Sequence, residues 1–439
     1  MIFCVGTGLD SSASGGTDAD IALTLGDLGA GLLDAGYAVT DVQQALREVG
    51  QVNGRADLTI GVLPSAIMVD DPQSGRTRLI NSTGAALSFT QVADVAALAR
   101  AAELGQIGLA AVRTGVRDAR NRGPRFPRPV AVLGSGLQSA GIAVVFRTTW
   151  WGVALDFVLA LLVGAVIIYG GRIAGLITVL PIVAAFCVSA VVYGLAADLQ
   201  LGAVTLFVVC APLVILIPGA TITTGVVELA AGDVVSGGGR FVSGLIMWAT
   251  LAVGIAAGAA LVGVPASTDD PPGSDIAGWV IWPAVVVLAI GVGLFFDAPW
   301  SLTGVLIGVL LATYGVVVLA QVVTAGPVAS GIAAAVMLPL LRLLEVFRPR
   351  WPAAVTFRPA FWLLVPGSLG LVAITSLAAG DSSADSDALL AGVVATVVAI
   401  AVGVQIGAVL SALVRSRSPQ GGPRRTRRSR GRHPAQVAE

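Results

Sequence analysis

The sequence predicts a mainly α-helical, polytopic membrane protein of about ten transmembrane helices, preceded by a small α+β domain. Of its 439 residues, 56% are hydrophobic and only 12% are charged, whereas about a quarter of a typical soluble domain is charged. Residues 1–129 nevertheless contain 13 of the 26 acidic and 11 of the 26 basic residues. We therefore expect a soluble part to precede a part that is embedded in lipid.

Short elements with helical and strand periodicity indicate the α+β domain. Apolar residues recur at helical spacing from Ile21 to Leu32, and Thr40 with Gln43 resembles a capping box at the start of a second helix. No nucleophile–base pair and no phosphate-binding loop is evident, so we expect a regulatory or gating role. The predicted elements are helices near 21–32, 42–49, 90–103 and 107–120 and strands near 58–62, 66–69 and 77–80.

Ten apolar runs follow, each long enough for a bilayer core of about 30 Å. They lie near 130–146, 152–169, 173–195, 201–222, 241–263, 276–296, 301–323, 327–346, 360–379 and 388–413. The expected domains are a cytoplasmic α+β domain at 1–129, two membrane repeats of five spans at 130–263 and 264–413, and an Arg-rich, disordered cytoplasmic tail at 414–439.

The charges of the loops predict the orientation of the chain. Arginines are concentrated before the first span, in loop 347–359 and in the tail, whereas loops 264–275 and 380–387 carry aspartates and no arginine. Because arginine-rich segments stay in the cytoplasm, ten spans place both termini inside and both acidic loops outside. The tail is more simply a positive-inside segment than a nucleic-acid binder, so the expected partners are lipid and a small molecule.

One segment occurs twice, 148 residues apart. Residues 217–233 read "IPGATITTGVVELAAGD" and residues 365–381 read "VPGSLGLVAITSLAAGD". Five predicted spans separate the copies, and because five is odd, the two repeats should be inverted in the membrane. Inverted repeats with interrupted helices are typical of secondary transporters, whose substrate lies between the repeats.

The first copy carries polar groups that the second lacks. Thr221, Thr224 and Glu228 fall on one helical face, and Gly225 leaves room on the same side. A helix that restarts after Pro-Gly offers its N-terminus to a substrate carboxylate. The candidate substrate-binding residues are therefore Pro218, Gly219, Thr221, Thr224, Gly225, Pro366 and Gly367.

Two carboxylates are candidates for proton coupling. Glu228 follows the candidate helix start, and Asp156 lies early in the second span. Alternatively, Glu228 only marks a cytoplasmic helix end near Arg240. The single histidine, His433, is in the tail, and three cysteines give no metal spacing, so we expect no metal, no cofactor and no enzymatic chemistry.

The chain resembles the threonine/serine exporter family of bacterial membrane proteins, from about 21 to 413. The resemblance rests on "GAGLLDAGYAVTDVQQALREVG", on the basic run before the first span and on the Pro-Gly…Thr-x-Gly-x-x-Glu-Leu signature. It departs from the family in a short start before Ile21 and a bulky "FRTTWWG" loop. The positions that match the signature are Pro218, Gly219, Thr223, Gly225, Glu228 and Leu229.

The resemblance implies a multi-pass protein of the bacterial inner membrane that exports threonine or serine, driven by the proton gradient. It adds Thr223 to the candidate substrate-binding residues. Some relatives resemble dicarboxylate exporters, so a succinate-type substrate is the alternative. A membrane sensor or scaffold is a third hypothesis, and the oligomeric state, including a homo-oligomer, stays open.

The topology can be tested by cysteine labelling in a background without the native cysteines. Because the acidic loops should lie outside, we expect a membrane-impermeant maleimide to label Asp270→Cys and Asp385→Cys in intact cells. Arg430→Cys should be labelled only after permeabilisation. Labelling of Arg430→Cys in intact cells would contradict the ten-span topology.

Overall fold

A computed structural model describes residues 21–171, 173, 175–200, 206–263, 276–324, 326–364 and 384–417 of the chain. Its first part, here called the α+β part, contains four helices and a three-stranded antiparallel sheet. These elements are α1 (Ile21–Asp34), α2 (Val39–Val52), β1 (Thr59–Leu63), β2 (Ala66–Asp71), β3 (Arg76–Asn81), α3 (Phe89–Glu103) and α4 (Leu109–Asn121).

The α+β part is built as the periodicity predicts. Helix α1 buries Leu25 and Leu28 completely and packs against β2 and β3. The strands follow the order β1-β2-β3, with Ile60 opposite Val69 and Met68 opposite Leu79. Alternate β2 residues such as Val69 point into the core, which is why the strand reads as an alternating pattern in the sequence.

The predicted capping box at Thr40 and Gln43 is wrong. Helix α2 begins at Val39, its N-cap is Ala38, and the Gln43 side chain donates instead to the carbonyl oxygen of Ile60 over 2.8 Å. A capping box does occur at α3, where Ser88 and Gln91 exchange hydrogen bonds. The start of α2 therefore needs an acceptor from elsewhere in the chain.

The remaining helices form the membrane part. Among the described residues, eight helices are long and apolar enough to cross a membrane, so the protein is a multi-pass membrane protein. We call α5–α10 the first half and α11–α15 the second half. The helices are α5 (Arg128–Val145), α6 (Trp150–Gly170), α7 (Leu176–Asp198), α8 (Leu206–Leu213), α9 (Gly219–Ala230), α10 (Val234–Val262), α11 (Ile281–Phe295), α12 (Trp300–Gln321), α13 (Gly326–Phe347), α14 (Ala353–Leu363) and α15 (Ala384–Arg417).

The expected fourth span, 201–222, is not one continuous helix. Helix α8 ends at Leu213, a single 3-10 turn covers Val214–Leu216, and α9 starts at Gly219. Between them Ile217 is extended, with φ −70° and ψ 121°, because the ring of a following proline disfavours the helical conformation. The expected ninth span, 360–379, contains the end of α14, and its remainder lies outside the described residues.

Matching backbone features recur in the two halves. The loop after α5 has Arg147 at φ 56°, and the loop after α11 has Asp297 at φ 58°. A helix that begins with tryptophan starts three residues after each of them, at Trp150 and at Trp300. The same turn therefore occurs twice, 150 residues apart, although one copy carries a cation and the other an anion.

Glycines bring the helices into close contact at matching positions. A Cβ atom at Gly258 of α10 would lie 2.5 Å from the Phe186 oxygen of α7, and one at Gly407 of α15 would lie 3.1 Å from the Ala335 oxygen of α13. Gly407 lies 149 residues after Gly258, and Ala335 likewise lies 149 residues after Phe186. Small residues that let helix backbones approach are typical of membrane helix packing.

Helices α5 and α11 join the two halves and run antiparallel. A Cβ atom at Gly134 would lie 2.6 Å from the nitrogen of Phe295, and one at Gly141 would lie 2.7 Å from the nitrogen of Leu288. As the residue number increases along α5, the number of the contacting residue in α11 decreases. The ends of these two helices, and the matching loops that follow them, therefore lie at opposite ends of the pair.

The glycine contacts predict which glycines tolerate a methyl group. Gly258→Ala should destabilise the protein by about 1–3 kcal/mol, because the added methyl overlaps the backbone of α7. Gly308→Ala in α12 is the matched control, since nothing lies within 4 Å of its would-be Cβ atom. Thermal unfolding of the detergent-purified variants measures both. Equal melting temperatures for the two variants would contradict this packing.

Candidate functional site

Glu228 of α9 connects the membrane part to the α+β part. Its side chain is fully buried. The backbone N–H of Val39, the first residue of α2, donates to Glu228 Oε1 over 2.9 Å. Arg240 Nε of α10 lies 3.1 Å from Oε2, within ion-pair distance but without hydrogen-bond geometry. Glu228 thus supplies the N-terminal acceptor that Ala38 cannot provide.

The other residues of α9 that were predicted to bind substrate differ in how far they are exposed. Gly219 is the first residue of the helix, Thr221 is exposed and Thr224 is half-buried. A Cβ atom at Gly225 would lie 2.8 Å from the Gly237 oxygen of α10. The room expected beside Gly225 is therefore filled by the backbone of α10. Half-buried Pro218 precedes the helix; the side chain of Thr223, and all of Pro366 and Gly367, lie outside what the structure describes.

Asp156 of α6 is fully buried among the membrane helices. Neither carboxylate oxygen has a hydrogen-bond partner among the described residues. A buried charge without a partner is costly, so an unpaired carboxyl group inside a membrane protein indicates a site for a proton or a cation.

Further buried polar atoms lie near Asp156. Ser135 Oγ of α5 donates to the Ala160 oxygen of α6 over 2.8 Å. Since these two helices run antiparallel through a tight loop, that contact places Ser139 level with Asp156. Neither Ser139 Oγ nor the Gln138 amide atoms have a hydrogen-bond partner within the described parts of the chain.

Helices α7 and α8 complete the surroundings of Asp156. Helix α8 packs against both α6 and α7, and one buried cluster contains Cys210 of α8 and Tyr193 of α7. The Tyr193 hydroxyl is another buried group that lacks a partner in the described structure. Four neighbouring helices of the first half thus contain buried polar side chains, here together called the Asp156 region: Gln138, Ser139, Asp156, Tyr193 and Cys210.

The second half is apolar at the positions that match Asp156 and Gln138. With the two tryptophan helices aligned, Asp156 corresponds to Leu306, and the preceding loops align Gln138 with Leu288. Leu288 and Leu306 are both fully buried. Sequence reasoning identified Asp156 but missed Ser139, which a comparison of the halves at an offset of 150 could have found, since Ala289 stands in its place.

A second contact seats the α+β part on the loop after α11. The backbone N–H of Phe89 donates to the carbonyl oxygen of Phe296 over 2.8 Å. The Thr90 hydroxyl donates to the backbone carbonyl oxygen of Asp297 over 2.5 Å. The Asp297 side chain accepts from the N–H of Arg125 over 2.8 Å. The sequence analysis did not identify Asp297, because nothing in its local sequence points to a partner 172 residues away.

Within the described residues, no group of three or more histidine, cysteine, aspartate or glutamate side chains could hold a metal ion. Comparison with protein families gave a match to ThrE, described as "Putative threonine/serine exporter", over residues 23–262. No curated protein and no solved structure matched the chain. The family match includes α9, Glu228 and the whole Asp156 region. Because it covers more than half of the chain, the protein belongs to the threonine/serine exporter family.

Proposed function

We propose that the protein exports a small amino acid, threonine or serine, across the bacterial inner membrane, driven by the proton gradient. The family is one of transporters, and the match includes the Asp156 region. The observation that carries the proposal is the fully buried carboxyl group of Asp156, which has no hydrogen-bond partner among the described residues. An exporter of zwitterions that is driven by protons needs such a group, since the group binds either a proton or an ammonium.

Exchange at one carboxylate would couple the two movements. Asp156 takes up a proton from outside and releases it inside, where the ammonium group of the amino acid binds the ionised carboxylate. On the outward step the amino acid leaves and a proton replaces it. Ser139, Gln138 and Tyr193 supply donors and acceptors for the rest of the substrate, since their polar groups have no hydrogen-bond partner among the described residues.

The start of α9 is the proposed site of the substrate carboxylate. Pro218 and Gly219 end the extended turn, and Thr221 and Thr224 follow in the first turns of the helix. A helix start attracts anions through its N–H groups and its dipole. One apolar cluster includes both Cys210 of α8 and residues flanking this turn, which supports a continuous site. Thr223, Gly225, Pro366 and Gly367 remain in the proposal by their place in the signature or repeat.

Glu228 is the second candidate for proton coupling, but its contacts favour Asp156. Both the Arg240 guanidinium and the Val39 N–H stabilise the ionised form of Glu228. A proton carrier must gain and lose its proton as it works. Asp156 has no hydrogen-bond partner among the described residues, whereas Glu228 has two contacts that oppose the effect of burial, which raises its pKa.

The halves are proposed to be an inverted pair with an interrupted helix in each. The antiparallel α5 and α11 support this arrangement, as do the matching loops that contain Arg147 and Asp297 at opposite ends of that helix pair. The extended turn at Ile217 supports the interruption in the first half. Polar groups concentrated in one half make that half the substrate-binding one.

An export assay tests the function directly. Cells expressing the protein and loaded with labelled threonine, serine or succinate should release the two amino acids faster than cells with an empty vector, and a protonophore should abolish the difference. Succinate release should be unchanged, since a dicarboxylate has no ammonium for Asp156. Release of succinate alone would support the dicarboxylate alternative, and release of none of the three would contradict the proposal.

Asp156→Asn should reduce threonine export at least tenfold, because the amide binds neither the ammonium nor the proton. Asp156→Glu keeps the titrating group and should retain part of the activity. Exposed Asp198 at the end of α7 provides the control, and Asp198→Asn should export normally. Initial export rates, normalised to protein in the membrane, measure the effect. Full export by Asp156→Asn would exclude Asp156 as the coupling group.

A further inference from the structure

The short connection between α1 and α2 contacts both halves of the membrane part. At its centre, the N–H of Val39 donates to Glu228 of α9, which belongs to the first half. Glu228 is further fixed by Arg240 of α10. On this side, therefore, a helix start of the α+β part is joined to a buried anion of the first half.

The same connection also contacts α13 in the second half. Arg342 forms an ion pair with Asp41, and the Tyr37 hydroxyl donates to Glu345 Oε1 over 3.0 Å. Burial, followed by the neighbouring Glu345 carboxylate, raises the pKa of Tyr37 well above its usual range. Tyr37 thus stays protonated and remains a donor. Five consecutive residues, Tyr37–Asp41, bridge the two halves; we call them the staple.

We propose that the staple closes the cytoplasmic side of the membrane part and must release one half for export to proceed. The inference rests on the proposed function, in which the halves move against each other around the substrate. Val39 is hydrogen-bonded to the first half and Asp41 is ion-paired with the second half, and only one residue separates Val39 from Asp41. Any separation of α9 from α13 on this side therefore breaks at least one of the contacts.

The contacts of the staple with the two halves can form and break reversibly. The Asp41–Arg342 ion pair is partly exposed to solvent, and exposed ion pairs are weak. The other two contacts, from Val39 to Glu228 and from Tyr37 to Glu345, are single hydrogen bonds. Each half is thus held by non-covalent contacts that a movement of the helices can break and re-form.

Reversible cross-linking of the staple to α13 tests the proposal. In a background that lacks Cys4 and Cys187 but keeps the fully buried Cys210, Asp41→Cys and Arg342→Cys are joined by a bifunctional methanethiosulfonate reagent. We expect threonine export to fall at least tenfold when the pair is cross-linked and to recover after reduction. A purely structural contact would not give a loss that reduction reverses.

Asp27 and Arg113 provide the matched control, since they form a 3.0 Å ion pair within the α+β part. Asp27→Cys with Arg113→Cys, treated with the same reagent, should export normally. A second pair, Tyr37→Cys with Glu345→Cys, covers the case in which the first pair fails to fold. Undiminished export by cross-linked protein of either staple pair would overturn the staple, whereas absence of export by the untreated wild-type protein would instead refute the proposed function.

Discussion

The start of helix α2 determines how the two parts of this protein fit together. The first N–H groups of a helix have no partner within the helix, and Ala38 has no side-chain oxygen to offer. The buried Val39 N–H is satisfied instead by Glu228, and the charge of Glu228 lies against Arg240. Each group would be costly to bury alone. The α+β part and the first half of the membrane part therefore stabilise each other through one carboxylate.

The start of α3 repeats this arrangement on the second half. Ser88 caps α3 from within, yet the N–H of Phe89 also reaches the Phe296 oxygen, and the two phenylalanine rings stack with centroids 4.9 Å apart. Two helix starts thus hold the α+β part on opposite halves of the membrane part. A repeated scaffold carries unlike chemistry, since the first half has Asp156 where the second has Leu306. An uneven distribution of polar groups between the halves suits a transporter with one substrate site.

Hydropathy and periodicity predicted most elements because burial in lipid or in a core leaves a regular pattern. They failed where a long-range partner decides the outcome. Thr40 reads as a helix cap, yet the real acceptor is Glu228, 189 residues away. Likewise, the sequence predicts open space beside Gly225, but the backbone of α10 occupies that space. The interruption at Pro218 was expected from the chain itself, because proline acts locally.

Amide hydrogen exchange at Val39 tests most directly whether Glu228 holds the two parts together. In purified full-length protein, Glu228→Ala should speed exchange of the Val39 amide about tenfold relative to wild type, since the acceptor is lost. Glu228→Gln retains an acceptor oxygen and should stay near the wild-type rate. The Gln91 amide, bonded to Ser88 within the α+β part, should be unaffected in both variants. An unchanged Val39 rate in Glu228→Ala would contradict the account.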